Sequence, residues 1–185
     1  MGTRFRFGAN TILMFTAIAG LWGVVETRGA EWARQLRLLG VRELADVRAT
    51  GLDGRRASLA ADGTETLYLV FSPKCPISAK VAPAWKAMLD EPQMRGRRVV
   101  GLAWSDDRPV EIHTFLKTNH LDVPVYQVPP DELEAATGIR MSPAVLVTDR
   151  SGRAAFVGQG RRKSTEEGRD SVLHALGRGG LSMHR

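Results

Sequence analysis

The chain contains one cysteine, Cys75, and it lies where a strand-like segment passes into a helical one. Residues 67–71 form a short apolar run, residues 72–74 are typical of a turn, and a helical pattern begins just after the cysteine. A sulfur at a helix N-terminus faces unpaired backbone N–H groups and the positive end of the helix dipole, and both favour the thiolate. Pro76 suits the first helical turn, where a missing N–H costs nothing. This junction is therefore the candidate reactive site.

A single cysteine also limits the chemistry of the chain. It excludes an internal disulfide framework and a cysteine-based zinc site. His113 and His120 are seven residues apart with no carboxylate or cysteine to complete a ligand set, so we expect surface or capping histidines and neither a metal nor another cofactor.

Composition indicates a globular domain with an appendage: 185 residues, of which 43% are hydrophobic and 25% charged. The net charge of +6 comes mostly from arginines scattered along the chain. A nucleic-acid-binding protein more often gathers its basic residues on one element with interleaved aromatics, so no nucleic-acid partner is expected.

The N-terminal segment has the pattern of a membrane anchor. Residues 7–25 contain no charged residue, and Arg4 and Arg6 precede them. A helix of this length is roughly 28 Å long, enough to span the hydrocarbon core of a bilayer. The positive-inside rule then predicts a single-pass inner-membrane protein whose C-terminal domain lies in the periplasm. Residues 17–19 resemble a signal-peptidase site, but apolar residues continue to Val25, so an uncleaved anchor is favoured.

The remaining chain divides into a spacer, a domain and a tail. We predict an anchor with a short cytoplasmic N-terminus over residues 1–28, an amphipathic spacer over 29–46, a folded domain over 47–177 and a flexible tail over 178–185. The predicted strands are a hairpin over 47–59 that turns at Asp53-Gly54, then 66–71, 99–104, an extended piece over 123–128, 144–148 and 154–158. The predicted helices cover 76–89, 107–119, 131–137 and 165–176.

Several finer predictions accompany this order. Val110, Phe115 and Leu116 are expected on the inner side of the second helix, and Asp106-Asp107 as its N-terminal cap. Residues 158–163 are expected to form a solvated loop. A capping box of Ser164 and Glu167 is expected to start the last helix, and Gly177 to stop it. Trp85 and Trp104 are expected in the core.

The order strand, helix, strand, helix, strand hairpin, helix, with a cysteine at the first strand–helix junction, resembles the thioredoxin fold. The likeness is greatest to membrane-anchored redoxins of the TlpA/ResA type, covers roughly residues 47–176, and within that group is closest in pattern to MauD, an accessory protein for methylamine dehydrogenase. It rests on residues 75–78 at the CxxC position, Pro83 at the kink proline of the active-site helix, and Ser142-Pro143 before a late strand.

The resemblance implies an α/β fold with a mixed central sheet flanked by helices, here with an N-terminal hairpin and the transmembrane helix. It also implies that Pro143 is cis and faces the thiol, and that the backbone of Ser142 pairs with an extended substrate beside Cys75.

The sequence departs from the family at three positions. Ser78 replaces the second cysteine, so no internal disulfide can form. Leu69 occupies the place of the buried acid of thioredoxin, and Val81 the place where many TlpA-type proteins keep a glutamate. Both positions that could hold a proton acceptor are therefore apolar.

The predicted function is thiol–disulfide exchange through one thiol, of a mixed-disulfide, isomerase or assembly-factor type. The catalytic residues are predicted to be Cys75, Ser78 and Pro143, and the substrate-binding residues are predicted to be Ser142, Pro76 and Ser72. The expected partners are an exported client protein or glutathione, bound through a mixed disulfide, and the lipid bilayer, contacted by residues 7–25.

Two alternatives remain open. Ser72 and Cys75 fit part of the peroxiredoxin pattern P-x-x-x-[TS]-x-x-C, which indicates a one-cysteine peroxidase, although Tyr68 stands where the proline belongs. The other alternative is a catalytically degenerate redoxin domain that acts as an interaction module.

Overall fold

The computed structural model describes residues 44–60, 62–163 and 166–178. They belong to one compact unit, Gly40–Arg185. The predicted anchor over residues 7–25, the spacer up to residue 43, residues 179–185 of the tail and Ser164 of the predicted capping box lie outside the described residues. Among the helices that the structure describes, none is both long and apolar enough to cross a bilayer.

A seven-stranded mixed sheet forms the centre of this unit, which confirms the predicted α/β class. Its strands in chain order are β1 (Ala49–Gly51), β2 (Arg56–Ala57), β3 (Thr66–Phe71), β4 (Arg98–Trp104), β5 (Val125–Val128), β6 (Ala144–Thr148) and β7 (Ala154–Gln159). Their spatial order is β2-β1-β5-β4-β3-β6-β7. Strands β3, β4 and β5 are parallel, and the other neighbours are antiparallel.

Strand β3 lies between β4 and β6 and is buried along its whole length. Leu67, Leu69 and Phe71 enter one core cluster. Tyr68 and Val70 enter the other. Because successive side chains of a strand point to opposite faces, this one apolar run contributes to the core on both sides of the sheet.

Helices cover both faces of the sheet. They are α1 (Pro76–Leu89), α2 (Pro109–Thr118), α3 (Pro130–Thr137), α4 (Gly160–Lys163) and α5 (Glu166–Arg178). Buried residues of α1, α2 and α5 share a cluster with Leu67, Leu69 and Phe71. Buried residues of α3 and the turn Leu44–Asp46 belong to the opposite face. The first three helices each begin with a proline, whose fixed φ and missing N–H suit that position.

The hairpin turn predicted at Asp53-Gly54 is confirmed, with Gly54 at a φ of 80° between β1 and β2. Its pairing partner was not predicted: β1 joins the sheet through β5, with Thr50 opposite Gln127. The hairpin therefore extends the sheet at the edge opposite β7.

The second helix differs from its prediction in two ways. Val110 is 63% exposed, and Ile112 is buried instead, because the apolar residues of this short segment fit two helical phases. The residue at the N-cap is Arg108, not Asp106 or Asp107. Its backbone N–H donates to Glu111 at 3.3 Å, while Asp107 turns inward.

Two predictions about the C-terminal part were also wrong. Residues 160–163 form the short helix α4 and not a solvated loop, and α5 continues through Gly177 to Arg178.

The two tryptophans predicted in the core differ in burial. Trp85 is buried as predicted, whereas Trp104 is only half-buried.

Candidate active site

Cys75 is the N-cap residue of α1, with extended backbone angles of φ −86° and ψ 113°. Its N–H donates to the carbonyl of Ser72 at 3.1 Å, and its own carbonyl accepts from the N–H of Ser78 at 3.0 Å. Pro76 is the exposed first residue of the helix. The turn that follows β3 therefore places the sulfur over the start of α1, and the side chain is half-buried.

The surroundings lower the pKa of the Cys75 thiol from its ordinary value. Burial is the largest single influence and raises the pKa, but four hydrogen-bond donors act together against it. They are the backbone N–H groups of Ser78 and Ile77 and the side chains of Ser78 and Ser142. The two N–H groups are donors expected at a helix N-terminus, and all four donors favour the thiolate.

The peptide bond between Ser142 and Pro143 is cis, as the resemblance implied. The carbonyl of Ser142 accepts a hydrogen bond from the Cys75 thiol at 3.5 Å. Pro143 is buried, and its carbonyl accepts from the N–H of Gly160 at 2.9 Å. The structure therefore brings the predicted residues Cys75, Ser142 and Pro143 together.

Ser78 is completely buried one helical turn after the cysteine. Its Oγ accepts a hydrogen bond from the N–H of Ser72 at 3.4 Å, and its side chain helps to lower the pKa of the Cys75 thiol. Leu69 and Val81 are also buried, so the two positions discussed above provide no proton acceptor.

Ser72 lies inside the protein, with 6% of its surface exposed. Its hydroxyl donates to Oδ1 of Asp107 at 2.9 Å and accepts from the N–H of Lys74 at 3.2 Å. The substrate-binding role predicted for this side chain does not fit its internal position, because the hydroxyl is bonded to Asp107 and has little surface open to solvent.

Asp107 is the residue near the site that sequence reasoning missed. Its side chain is 1% exposed, and it follows the end of β4 beside the end of β3. Oδ2 is buried and has no hydrogen-bond partner among the described residues. The ammonium group of Lys74 lies 3.4 Å from Oδ1 and donates to the carbonyl of Asp106 at 2.8 Å. The Asp107 carboxylate, the Ser72 hydroxyl and the Lys74 ammonium group thus lie close together at the turn of residues 72–75, called the reactive turn below.

Two exposed apolar side chains are adjacent in sequence to site residues. Ile77, which is 42% exposed, follows Pro76, and Met141, which is 55% exposed, precedes Ser142. Each of the two segments that form the site therefore carries one exposed apolar side chain.

A groove of about 730 Å³ lies elsewhere, along β1 and β2 and the end of β5. None of its lining residues belongs to 72–78 or 141–143. Among the described residues, no group of three or more His, Cys, Asp or Glu side chains is arranged to hold a metal ion.

Three solved structures illustrate what the chain is similar to. A secreted Mycobacterium tuberculosis disulfide oxidoreductase homologous to E. coli DsbE is 16% identical, with a TM-score of 0.57 over 73% of this chain and 96% of that one. A thiol:disulfide interchange protein of the thioredoxin family from Chlorobium tepidum is 24% identical, with a TM-score of 0.55 over 72% and 96%. StoA from Bacillus subtilis is 18% identical, with a TM-score of 0.54 over 72% and 98%.

No protein-family model matches the chain, and no curated protein sequence matches it. The structural similarity covers nearly the whole of each of the three proteins and establishes that the chain has the thioredoxin-like fold. At these identities, what the chain does must be argued from its own site.

Proposed function

We propose that the protein is a thiol–disulfide exchange protein that acts through Cys75 alone. The observation that carries this proposal is the position of the sulfur: half-buried at the N-terminus of α1, with a lowered pKa, and 3.5 Å from the carbonyl of Ser142. An inert packing cysteine needs neither the hydrogen-bond donors of the helix nor access to solvent.

The chemistry follows from having one thiol. The Cys75 thiolate attacks one sulfur of a disulfide, a bond forms between Sγ and that sulfur, and the other sulfur leaves as a thiolate that takes a proton from solvent. Ser78 cannot attack the mixed disulfide as a second cysteine would. A thiolate from outside must therefore attack it, releasing Cys75 and forming a new disulfide with the former partner. The two exchange steps require no net oxidant or reductant.

The exposed surface beside the sulfur suits a protein client or glutathione. Ile77 and Met141 offer apolar contacts, and the backbone of Ser142 offers hydrogen bonds to an extended chain. We assign Pro76 to the same contact surface because it is exposed next to the cysteine. Two of the similar structures are a disulfide oxidoreductase and a thiol:disulfide interchange protein, which supports this class of substrate.

We further propose that residues 7–25 anchor the protein in the inner membrane and that the domain faces the periplasm. The uncharged segment behind Arg4 and Arg6 supports this arrangement. The likeness to MauD adds a client class: a disulfide-rich exported enzyme during its assembly.

Trapping in the native cell tests the proposal. Cells that produce the protein are quenched with acid, free thiols are blocked, and adducts are separated without reductant. We expect mixed disulfides with exported proteins or glutathione that disappear with reductant and in Cys75→Ala. Ser151→Ala provides a matched control, because it removes a serine hydroxyl from the exposed turn between β6 and β7 and leaves every residue of the site in place.

The absence of adducts, together with no reaction between the purified protein and glutathione disulfide, would contradict the exchange function. That result would favour a redoxin-fold interaction module. A sulfenic acid on Cys75 after peroxide treatment, with no mixed disulfide, would instead favour the one-cysteine peroxidase.

A further inference from the structure

Asp107 is an unusual residue to find under the reactive turn. Its side chain is almost fully buried, Oδ1 accepts from the Ser72 hydroxyl, and Oδ2 has no partner among the described residues. An incompletely bonded buried carboxylate costs free energy that an apolar side chain of similar size would not cost. Lys74 compensates only in part, because its side chain is about half exposed and its ammonium group lies 3.4 Å from Oδ1.

Ser72 connects this carboxylate to the cysteine. Its hydroxyl donates to Asp107, its carbonyl accepts from the N–H of Cys75 at 3.1 Å, and its N–H donates to Oγ of Ser78 at 3.4 Å. The Ser78 side chain is also one of the groups that lower the pKa of Cys75. A series of hydrogen-bonded residues therefore runs from Asp107, after the end of β4, through Ser72 to Cys75.

The geometry of the turn depends on this series. The Ser72 hydroxyl bonds to Asp107 on one side and to the N–H of Lys74 on the other, so it fixes the three residues before the sulfur. Lys74 binds the same carboxylate and the carbonyl of Asp106, which joins the turn to the end of β4 a second time. Loss of the carboxylate would remove the first connection and would leave the second to the hydrogen bond between Lys74 and the Asp106 carbonyl.

We propose that Asp107 is a positioning residue for Cys75, acting through Ser72 to hold the 72–75 turn where the Ser78 hydroxyl and the first N–H groups of α1 meet the sulfur. The proposal rests on the proposed function, because thiol–disulfide exchange is the reason why this sulfur must stay reactive. Asp107 does not act on the substrate itself. The charged groups that surround the network are Lys74, Asp106 and, through its interaction with Lys74, Glu111.

The test is the pH dependence of Cys75 alkylation by iodoacetamide in the reduced full-length protein. Because only the thiolate reacts, the midpoint of the rate profile reports the thiol pKa. We expect Asp107→Ala and Ser72→Ala each to raise that midpoint and to lower the rate near neutral pH by about three- to tenfold, where one pKa unit is a factor of ten. Asp107→Asn keeps an oxygen that accepts from Ser72, so its rate is expected to stay within about twofold of wild type.

The double variant Asp107→Ala/Ser72→Ala separates a shared pathway from two independent effects. If Asp107 acts through Ser72, the double variant should shift the midpoint no further than either single variant does. Additive shifts would overturn the proposal, because they would show that Asp107 reaches the sulfur by another route.

Glu65 provides a matched control at the other end of β3. It is also a buried carboxylate with one unpartnered oxygen, and it pairs with Arg97 at 2.6 Å. The six residues of β3 separate it from Ser72 by roughly 20 Å. Glu65→Ala is therefore expected to lower stability, measured by urea unfolding, while the alkylation midpoint stays unchanged.

An unchanged midpoint in Ser72→Ala and Asp107→Ala would overturn the proposal and leave Asp107 with a purely structural role. If Asp107→Ala does not fold, an unchanged midpoint in Ser72→Ala has the same meaning. Alkylation requires no client, so these results are independent of the trapping experiment. Failure of the exchange function would appear as missing adducts from a cysteine that iodoacetamide still modifies normally.

Discussion

Ser78 has two roles in the reactive turn. Its Oγ accepts from the N–H of Ser72, and its hydroxyl contributes to the lowered pKa of Cys75. A serine at this position therefore preserves part of the electrostatics of the site although it cannot form a disulfide. This makes the replacement of a second cysteine compatible with a reactive thiol.

Removal of the Ser78 hydroxyl should make the thiol less acidic. In Ser78→Ala the sulfur keeps the backbone donors but loses the side-chain donor, so we expect a higher thiol pKa and an alkylation rate at neutral pH that falls by about two- to fivefold. The pH profile of iodoacetamide modification measures the change. Ser151→Ala, in the exposed turn before β7, is the control. A thiol pKa in Ser78→Ala equal to or below that of wild type would contradict the role given to the hydroxyl.

Ser78→Cys should restore an internal disulfide. The two positions are one helical turn apart at the start of α1, and the Ser78 side chain is close enough to lower the pKa of Cys75. We expect this variant to lose two hydrogens on oxidation, measured by mass spectrometry, and to release trapped mixed disulfides without an added thiol. Persistence of those adducts in the oxidised, folded variant would show that position 78 does not lie where a resolving thiol must lie.

The lowered pKa also predicts how stability depends on pH. A thiol with a folded-state pKa below its unfolded-state value stabilises the folded state when it ionises. The free energy of unfolding of the reduced protein, relative to Cys75→Ala, should therefore rise as pH increases through the folded-state pKa and level off above the unfolded-state pKa. Urea unfolding at a series of pH values measures this difference. A difference that falls with increasing pH would contradict the direction of the shift.

At the scale of elements, β4 packs closely against both parallel neighbours. Gly101 pairs with Leu69 of β3 and Val125 of β5. A Cβ at position 101 would lie 2.7 Å from Cγ2 of Val125 and 3.1 Å from Cε1 of Phe71. The ring of Phe71 stacks on Phe115 at 4.7 Å, so it has little freedom to move.

Gly101→Ala should therefore destabilise the domain by about 1–3 kcal/mol through overpacking. Val125→Ala should also destabilise it, through loss of buried apolar surface. In the double variant the added methyl group occupies part of the vacated space, so the combined loss should be smaller than the sum of the two. Chemical unfolding of all four proteins tests this. Strict additivity would show that the two side-chain positions do not compete for the same space.

Local patterns predicted the elements better than their partners. The sequence predicted the apolar run of β3, the turn at Gly54 and the β6–β7 hairpin, because each depends on residues close together in the chain. The pairing of β1 with β5 was not, since it joins segments more than seventy residues apart and has no local signal. The wrong inner position of Val110 had a similar cause, because a ten-residue helix admits more than one apolar phase.

The candidate site shows the same division. The position of Cys75 and the cis bond before Pro143 were expected, whereas Asp107 was interpreted as a helix cap because Pro109 follows it closely. A signal for its true position was present. Strands β3 and β4 are parallel, so the residues after their carboxyl ends, Ser72 and Asp107, meet at one edge of the sheet.

At the scale of the whole molecule, one-thiol chemistry needs a supply of outside thiols and clients, so the compartment matters as much as the site. The described unit contains the sheet, the helices and the single cysteine. The proposed anchor is supported separately, by the uncharged residues 7–25 and the preceding Arg4 and Arg6. A helix of that length spans a hydrocarbon core with little excess.

We expect the full chain to remain in the membrane pellet after alkaline carbonate extraction, because an integral helix is held by burial in lipid and not by charge. The matched variant replaces Leu13 and Phe15 with arginine, which breaks the uncharged segment near its middle at a cost of about 2.5–3.5 kcal/mol for each charge. That variant should move to the soluble fraction.

Protease added to spheroplasts should digest the domain of the wild-type protein, since a basic N-terminal flank retained in the cytoplasm leaves the domain outside. Release of the wild-type chain by carbonate would contradict the anchor, and a domain protected from protease until the membrane is broken would contradict the orientation. Neither result would bear on the chemistry of Cys75, which alkylation and trapping test separately.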